Sequence, residues 1–252
     1  MTIQEYFRRD PIVAVAFSGG VDSAWLLHEA LQYAQRTRAY FVRTPFQPAF
    51  ELADARATAE QLGAELTVID FDILTLPEVT ANPHDRCYHC KKALFTLIAA
   101  RAMADGFPLV ADGSNASDDA GDRPGMVALR ELGVVSPLRQ CGITKADIRS
   151  MARQAGIPLW DKPSYACLAT RVPTGTAITL PDLHRVERGE QLLMDAGFTD
   201  FRLRLRGSRG LLQVRREEMA RARVQLPALA SLLAEDFEDI LLDDTPRASR
   251  ET

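Results

Sequence analysis

Residues Ile12–Ser23 read IVAVAFSGGVDS, and the architecture of the chain follows from them. Five consecutive apolar residues, Ile12–Ala16, led in by Pro11, are too few for a helix and fit a strand buried on both faces. The Ser-Gly-Gly that follows runs straight into a helical pattern over Asp22–Tyr33. A strand, a tight turn and a helix N-terminus bring unpaired backbone N–H groups and the positive end of a helix dipole to one point. Gly19 and Gly20 let the backbone approach closely and take positive φ, while Ser18 and Ser23 add hydroxyl donors. The ligand so specified is an anion, and a phosphate before others. Neither G-x-x-x-x-G-K-[ST] nor G-x-G-x-x-G stands here, so no lysine of the loop reaches a γ-phosphate.

With that spacing, SGGVDS after a hydrophobic strand resembles the PP-loop of the ATP pyrophosphatases, which split ATP into AMP and pyrophosphate; an ordinary Gly-rich turn is the plain alternative. Downstream, strands at Ala39–Arg43, Glu65–Phe71 and Leu109–Ala111 alternate with helices at Phe50–Leu62 and about Lys91–Ala104. Such alternation predicts an α/β fold, a parallel sheet with helices on both faces and ligands at the carboxyl ends of the strands. Gly133–Pro137 reads as extended, and Thr144–Ala155 as a helix capped by Thr144 and stopped by Gly156. From Thr179 the order becomes helix (Leu180–Ala196), strand (Phe201–Arg206), hairpin turn, strand (Leu211–Arg215), helix (Glu217–Ala234) and strand (Asp239–Leu242). The expected organisation is a PP-loop domain over 1–175, a smaller α+β domain over 176–243, and a frayed tail over 244–252.

At 252 residues, 46% hydrophobic and 25% charged, the chain has the composition of a globular protein with a sizeable core. No apolar run approaches the roughly 18 residues of a membrane span, and MTIQEYFRRD lacks the apolar stretch of a signal peptide. The expectation is a cytoplasmic protein, in which four cysteines are metal, cluster or catalytic candidates before they are disulfides. The net charge of −4 argues against general nucleic-acid coating. Residues 202–223 nevertheless hold eight arginines against Glu217 and Glu218, a local anion site or a solvated face.

Within Arg86–Lys92 (RCYHCKK), Cys87 and Cys90 are spaced to face one metal, but they fill only two of the positions that zinc or an iron–sulfur cluster needs. Cys167, on the extended joint Trp160–Gly175, is the natural third ligand; a structural zinc site using neighbouring histidines is the competing reading. Cys141 reads as structural. Asp112–Pro124 (DGSNASDDAGDRP) follows a strand with four acidic residues. Asp22 together with Asp112, ahead of Asp118 or Asp119, could hold magnesium on a pyrophosphate. Lys162 and Arg171 flank Cys167, where a cation lowers a thiol pKa and stabilises a departing AMP, or else orients the loop. Arg202 and Arg204, two apart on a strand, share a face suited to a phosphate or carboxylate, or to solvent.

Taken together, AFSGGVDS, the lysines of CYHCKK, DGSNASDD with DRPG, GITKADIR, GIPLWDKPSYACLATRVPTG and FRLRLR resemble the LarE family of sulfur transferases over nearly the whole chain. The resemblance implies an enzyme that adenylates a carboxylate of pyridinium-3,5-biscarboxylic acid mononucleotide and replaces its oxygen by sulfur, towards the nickel-pincer nucleotide. It implies ATP and Mg2+ as cofactors and Ser18, Gly19, Gly20, Val21, Asp22 and Ser23 as the pyrophosphate site. Arg202 and Arg204 would contact the substrate phosphate, and Glu190 would be an acidic residue near the active site. One branch of the family sacrifices the sulfur of a joint cysteine; here that position is Ala166, with Cys167 beside it. Cys87, Cys90 and Cys167 instead resemble the family's other arrangement, a [4Fe–4S] cluster with an open iron that carries an extra sulfide. The expected partners are a small nucleotide substrate, sulfide or another sulfur donor, and further copies of the chain in a homo-oligomer, without membrane or nucleic acid. Sulfur transfer to a tRNA base, and a non-catalytic ATP- or zinc-binding protein, stand as alternatives.

Overall fold

The apolar run Ile12–Ala16 is the inner strand of a parallel sheet in the computed structural model, which describes residues 1–118, 124–163 and 165–247. The elements in chain order are α1 (Ile3–Arg9), β1 (Ile12–Ala16), α2 (Val21–Tyr33), β2 (Arg36–Arg43), α3 (Ala49–Gln61), β3 (Leu66–Asp70), α4 (Pro77–Thr80), α5 (Arg86–Ala104) and β4 (Leu109–Ala111). There follow α6 (Pro124–Glu131), α7 (Pro137–Gln140), α8 (Lys145–Gln154), a 3₁₀ turn at Leu168–Arg171, α9 (Leu180–Asp195), β5 (Arg202–Arg206), β6 (Arg209–Gln213), α10 (Met219–Leu232) and β7 (Ile240–Leu242). The chain divides into two units, one of Met1–Ile73 and Asp85–Ser164, the other of Leu74–His84 and Tyr165–Thr252.

In the first unit the strand order is β3-β2-β1-β4, all parallel. Alternation along each strand sends side chains to two cores. Val13, Val15, Ala39 and Phe41 pack with α1, α2 and α8 on one face; Ala14, Tyr40, Val42 and Val110 pack with Ile98 and Ala102 of α5 on the other. Because β2 and β3 lie to one side of β1 and β4 to the other, the topology reverses between β1 and β4. In open α/β sheets that crevice, at the carboxyl ends of the strands, is where ligands bind. Val15 pairs with Ala111, so the segments leaving these strands, Phe17–Gly20 and Asp112–Ser114, emerge side by side.

In the second unit β5 and β6 form the expected hairpin. Arg206 pairs with Arg209 across Gly207-Ser208, and Gly207 takes φ +62°. β7 adds parallel to β6. The alternation of β5 buries Leu203 and Leu205 and puts Arg202, Arg204 and Arg206 on the opposite face. Gly189 of α9 has no Cβ where one would collide with Leu203 Cδ2, which lets this helix lie directly on β5.

Three boundaries differ from the sequence reading. The joint does not end at 175: Leu168, Ala169 and Val172 are buried, and the Gly175 and Ile178 amides donate to the carbonyls of Asn82 (2.8 Å) and Thr80 (2.8 Å). The unit therefore begins at Tyr165 and takes in Leu74–His84, because these polar contacts satisfy the backbone of an otherwise extended segment. The helix expected from Lys91 starts at Arg86, so the C-x-x-C motif is its first turn; the start is set by the Tyr88 amide donating to Asp85 O (2.7 Å) and not by a side-chain cap. The segment 244–247 is not frayed: Arg247 Nε donates to Asp200 Oδ1 (3.0 Å) and its amide to Val214 O (2.9 Å). Residues 248–252 lie outside the described residues.

Candidate active site

The loop after β1 is held by its own serines. The Ser18 amide donates to Ser23 Oγ (3.2 Å), the two hydroxyls are 3.1 Å apart, and Ser23 Oγ donates to Gly20 O (3.0 Å). Ser23 is buried, whereas Ser18 is exposed. Gly19 takes φ +72°, and a Cβ there would stand 3.2 Å from Ala55 Cβ and 3.3 Å from Glu51 O, so α3 closes on the loop only because the side chain is missing. The first intrahelical bond of α2 is Ala24 N to Gly20 O (2.9 Å). The amides of Val21, Asp22 and Ser23 thus have no hydrogen-bond partner among the described residues and point out of the helix start, as an anion requires.

Asp22 is ion-paired through Oδ2 with Lys145 Nζ, 2.5 Å away, while its Oδ1 is buried without a hydrogen bond. Burial is the largest influence on this carboxyl and pushes its pKa up, against the pull of Lys145. An unpartnered carboxylate oxygen beside a row of free amides is a donor that fits Mg2+ on a bound pyrophosphate, since magnesium sites on phosphates use one or two carboxylates. Asp112, 6% exposed, accepts from Ser114 Oγ (2.5 Å) and Ser136 Oγ (2.6 Å). Each oxygen keeps a lone pair, and the two hydroxyls orient it as outer-shell partners do. Asp118 caps its own loop by accepting from the Asn115 amide (2.9 Å), and Asp119 lies outside the described residues.

Next to Ser18 opens a pocket of about 130 Å³, lined by Ala16 and Phe17, by Tyr40–Val42 at the end of β2, by Gln47 and Glu51, and by Leu94, Phe95 and Ile98 of α5. Its largely apolar walls suit the flat face of a heterocyclic base. Because α5 precedes a parallel strand, its N-terminus emerges at the carboxyl edge of the sheet. Cys90, Leu94 and Ile98 share one helical face, and Cys90 sits about 6 Å along the axis from pocket-lining Leu94. Cys87 is exposed, 3.9 Å from Arg86 Nη2. Lys162 is ion-paired with Asp54 and lies 5.0 Å from the centre of the Phe50 ring; one residue beyond Asp54 is Ala55, which touches Gly19. Lys162 is thus held on α3, the helix that closes on Gly19. Cys141, whose thiol burial pushes up, packs against the core.

The second unit gathers Tyr165, Cys167, Arg171, Glu190, Arg202 and Arg204. Glu190 is 0% and Arg171 1% exposed. Glu190 Oε1 accepts from Arg171 Nε (2.8 Å) and the Leu203 amide (2.9 Å); Oε2 accepts from Arg171 Nη2 (2.8 Å) and the Tyr165 hydroxyl. Arg171 Nη1 donates to the carbonyls of Ala166 (2.7 Å) and Cys167 (3.2 Å). One buried carboxylate thereby ties the cysteine-bearing turn to the arginine-bearing strand. Arg171 and Glu190, both buried, hold the Ala166–Cys167 turn by its carbonyls. Arg204 is half-buried, and its guanidinium is held below the usual arginine range by burial and by Arg171, Arg247 and Arg206. Arg202 lies with its guanidinium carbon 5.6 Å from the centre of the Tyr165 ring. Cys87 and Cys90 belong to the first unit and Cys167 to the second; among the described residues no three His, Cys, Asp or Glu side chains are grouped as a metal site.

No family model matches the chain. Over 214 residues it is 30% identical to the pyridinium-3,5-bisthiocarboxylic acid mononucleotide synthase of Lactiplantibacillus plantarum, covering 84% of this chain and 76% of that enzyme. The chain belongs to the LarE family. An uncharacterised protein of Synechocystis is 34% identical over 226 residues, 89% of this chain and 80% of its own length. The tRNA-specific 2-thiouridylase of Thermotoga maritima is 27% identical over 190 residues, 58% of this chain and 52% of its own. In this LarE-family chain the sequence reading missed Lys145, Gly113 and Tyr165. Lys145 stands in GITKADIR, and its only local signal is its place after the helix cap. A Cβ on Gly113 would lie 2.9 Å from the Ser23 amide nitrogen, a close approach that only the paired strands reveal. Among the described residues no helix is long and apolar enough to cross a membrane.

Proposed function

We propose that this protein uses ATP to adenylate a carboxylate of pyridinium-3,5-biscarboxylic acid mononucleotide and converts it to a thiocarboxylate. The observation that carries the reading is the junction of free amides, exposed Ser18 and unpartnered Asp22 Oδ1 with an apolar pocket at the carboxyl edge of β1 and β2. A carboxylate oxygen of the substrate attacks the α-phosphorus and pyrophosphate leaves; hydrosulfide sulfur then attacks the acyl carbon and AMP leaves. Ser18, Gly19, Gly20, Val21 and Ser23 hold the departing pyrophosphate, and Asp22, seconded by Asp112, would ligate its Mg2+, which supplies charge neutralisation when bound. Lys162, held on α3 by Asp54, would reach the developing charge as AMP leaves. Arg202 and Arg204 bind the substrate phosphate, and an anion there would relieve the burial and the like charges that lower the Arg204 pKa. Glu190 and Arg171 set the position of Cys167.

For the sulfur source, Cys87, Cys90 and Cys167 would hold a [4Fe–4S] cluster, which when bound supplies an iron free of protein ligands for an extra sulfide. Support comes from the donor chemistry: two thiols one helical turn apart, on the face of α5 that lines the pocket, and a third on a turn fixed at its carbonyl. Sacrifice of Cys167 is the second reading, favoured by the same rigid turn. Anaerobic reconstitution with iron and sulfide tests both. A cluster absorption band that Cys87→Ala abolishes, together with repeated turnover, is expected. A colourless wild type with loss of one sulfur mass from Cys167 after a single turnover would establish the sacrificial route. Sulfur transfer to tRNA, the activity in the Thermotoga relative's name, would reveal itself as steeply salt-dependent tRNA binding.

A further inference from the structure

The loop SGGVDS contains no lysine, yet a lysine is present at it. Lys145, the first residue of α8, lies 123 positions along the chain from Asp22 and places Nζ 2.5 Å from Asp22 Oδ2. Its backbone is anchored twice. The Lys145 amide donates to Ser117 Oγ (3.0 Å) in the loop after β4, and Thr144 caps the helix in a reciprocal pair with Asp147. The side chain is about three-tenths exposed and so retains a path to solvent and to a ligand. Around it, among the described residues, stand the unpartnered amides of Val21–Ser23 and the buried, unbonded Asp22 Oδ1, groups whose chemistry suits an anion and its counter-cation.

We infer that Lys145 is a pyrophosphate-binding residue, exchanging its ion pair with Asp22 for a β- or γ-phosphate oxygen when magnesium-bound nucleotide enters. The exchange is balanced in charge. Asp22 gives up the ammonium and gains the metal, Lys145 gives up the carboxylate and gains the phosphate, and neither group is left buried alone. In the free protein the pair protects a desolvated carboxylate, which otherwise costs free energy. Lys145 thereby supplies, from a distant helix, the point charge that a P-loop lysine supplies from within its own loop. This inference rests on the ATP-splitting reading above.

The test is calorimetric titration of the full-length protein with magnesium pyrophosphate and, separately, with adenosine. Three proteins are compared: wild type, Lys145→Met and Lys145→Arg. Lys145→Met is expected to weaken pyrophosphate binding by about tenfold or more with adenosine affinity unchanged, and Lys145→Arg to restore most of the loss. Thermal melting confirms that each variant is folded, and the arginine variant keeps the test valid if the methionine one is not. Pyrophosphate affinity unchanged in Lys145→Met, or lost equally in Lys145→Arg, would overturn the inference. Failure of the wild type to bind either probe would instead count against the ATP-splitting reading itself.

Discussion

Asp22 carries a charge that burial opposes and that Lys145 supports. Its pKa is raised in the folded protein, so the folded state binds a proton at this site more tightly than the unfolded chain. The advantage of the protonated carboxyl is therefore lost as pH rises from the ordinary Asp range through the folded pKa, the reverse of an ion-paired Asp whose pKa is lowered. Asp22→Asn removes that cost. We expect its melting temperature to equal or exceed that of wild type at pH 7, with a smaller advantage at pH 4, while ATP–pyrophosphate exchange falls at least about tenfold. Thermal melts at the two pH values and an exchange assay check both parts. Glu190 is the opposite case, a carboxylate whose oxygens receive four donors. Glu190→Gln leaves the Arg171 guanidinium buried without a counter-charge, and loss of one partner of such a pair costs about 3–5 kcal/mol. A urea midpoint close to that of wild type would contradict this account of the network.

At the scale of elements, two parallel strands and two helix starts make the site. The crevice between β1 and β4 is narrow because Gly113 lies against the Asp22–Ser23 peptide. Gly113→Ala would push a methyl into backbone, which cannot yield as a side chain does. The expected result is a destabilisation of about 1–3 kcal/mol with weakened ATP binding, measured by urea denaturation and calorimetry. Much at this scale was legible beforehand. The run Ile12–Ala16, the Thr144 capping box and the Gly207-Ser208 hairpin turn are set by neighbours within a few residues, and local sequence records them. The start of α5 was not, since Cys87, Tyr88 and His89 have middling helix propensity and Asp85 makes no side-chain cap. Its first turn is supported instead by Tyr88 and Lys92 meeting Glu131 at the end of α6 (2.7 and 3.0 Å).

For the whole molecule, the division into units is discontinuous: the chain enters the second unit at 74–84, returns to the first, and re-enters at Tyr165. A fragment of residues 176–252 lacks Arg171, Tyr165 and Asn82, leaving the buried Glu190 without its guanidinium. We expect it to show no cooperative thermal transition, and a cooperative one would contradict the assignment of the joint to this unit. The parallel α/β class, the Gly-rich loop after β1, the arginine face of β5 and the cysteines as the chemistry to be explained could all be read along the chain. These follow from side-chain periodicity and residue type, which are local properties. The pairing of Lys145 with Asp22, the approach of Gly113 to α2, and the buried Glu190–Arg171 pair at the Ala166 and Cys167 carbonyls emerge with the folded chain. Each is a contact between residues far apart in the chain, made possible by strand register and helix packing, and no local pattern encodes which distant partner will fill the space.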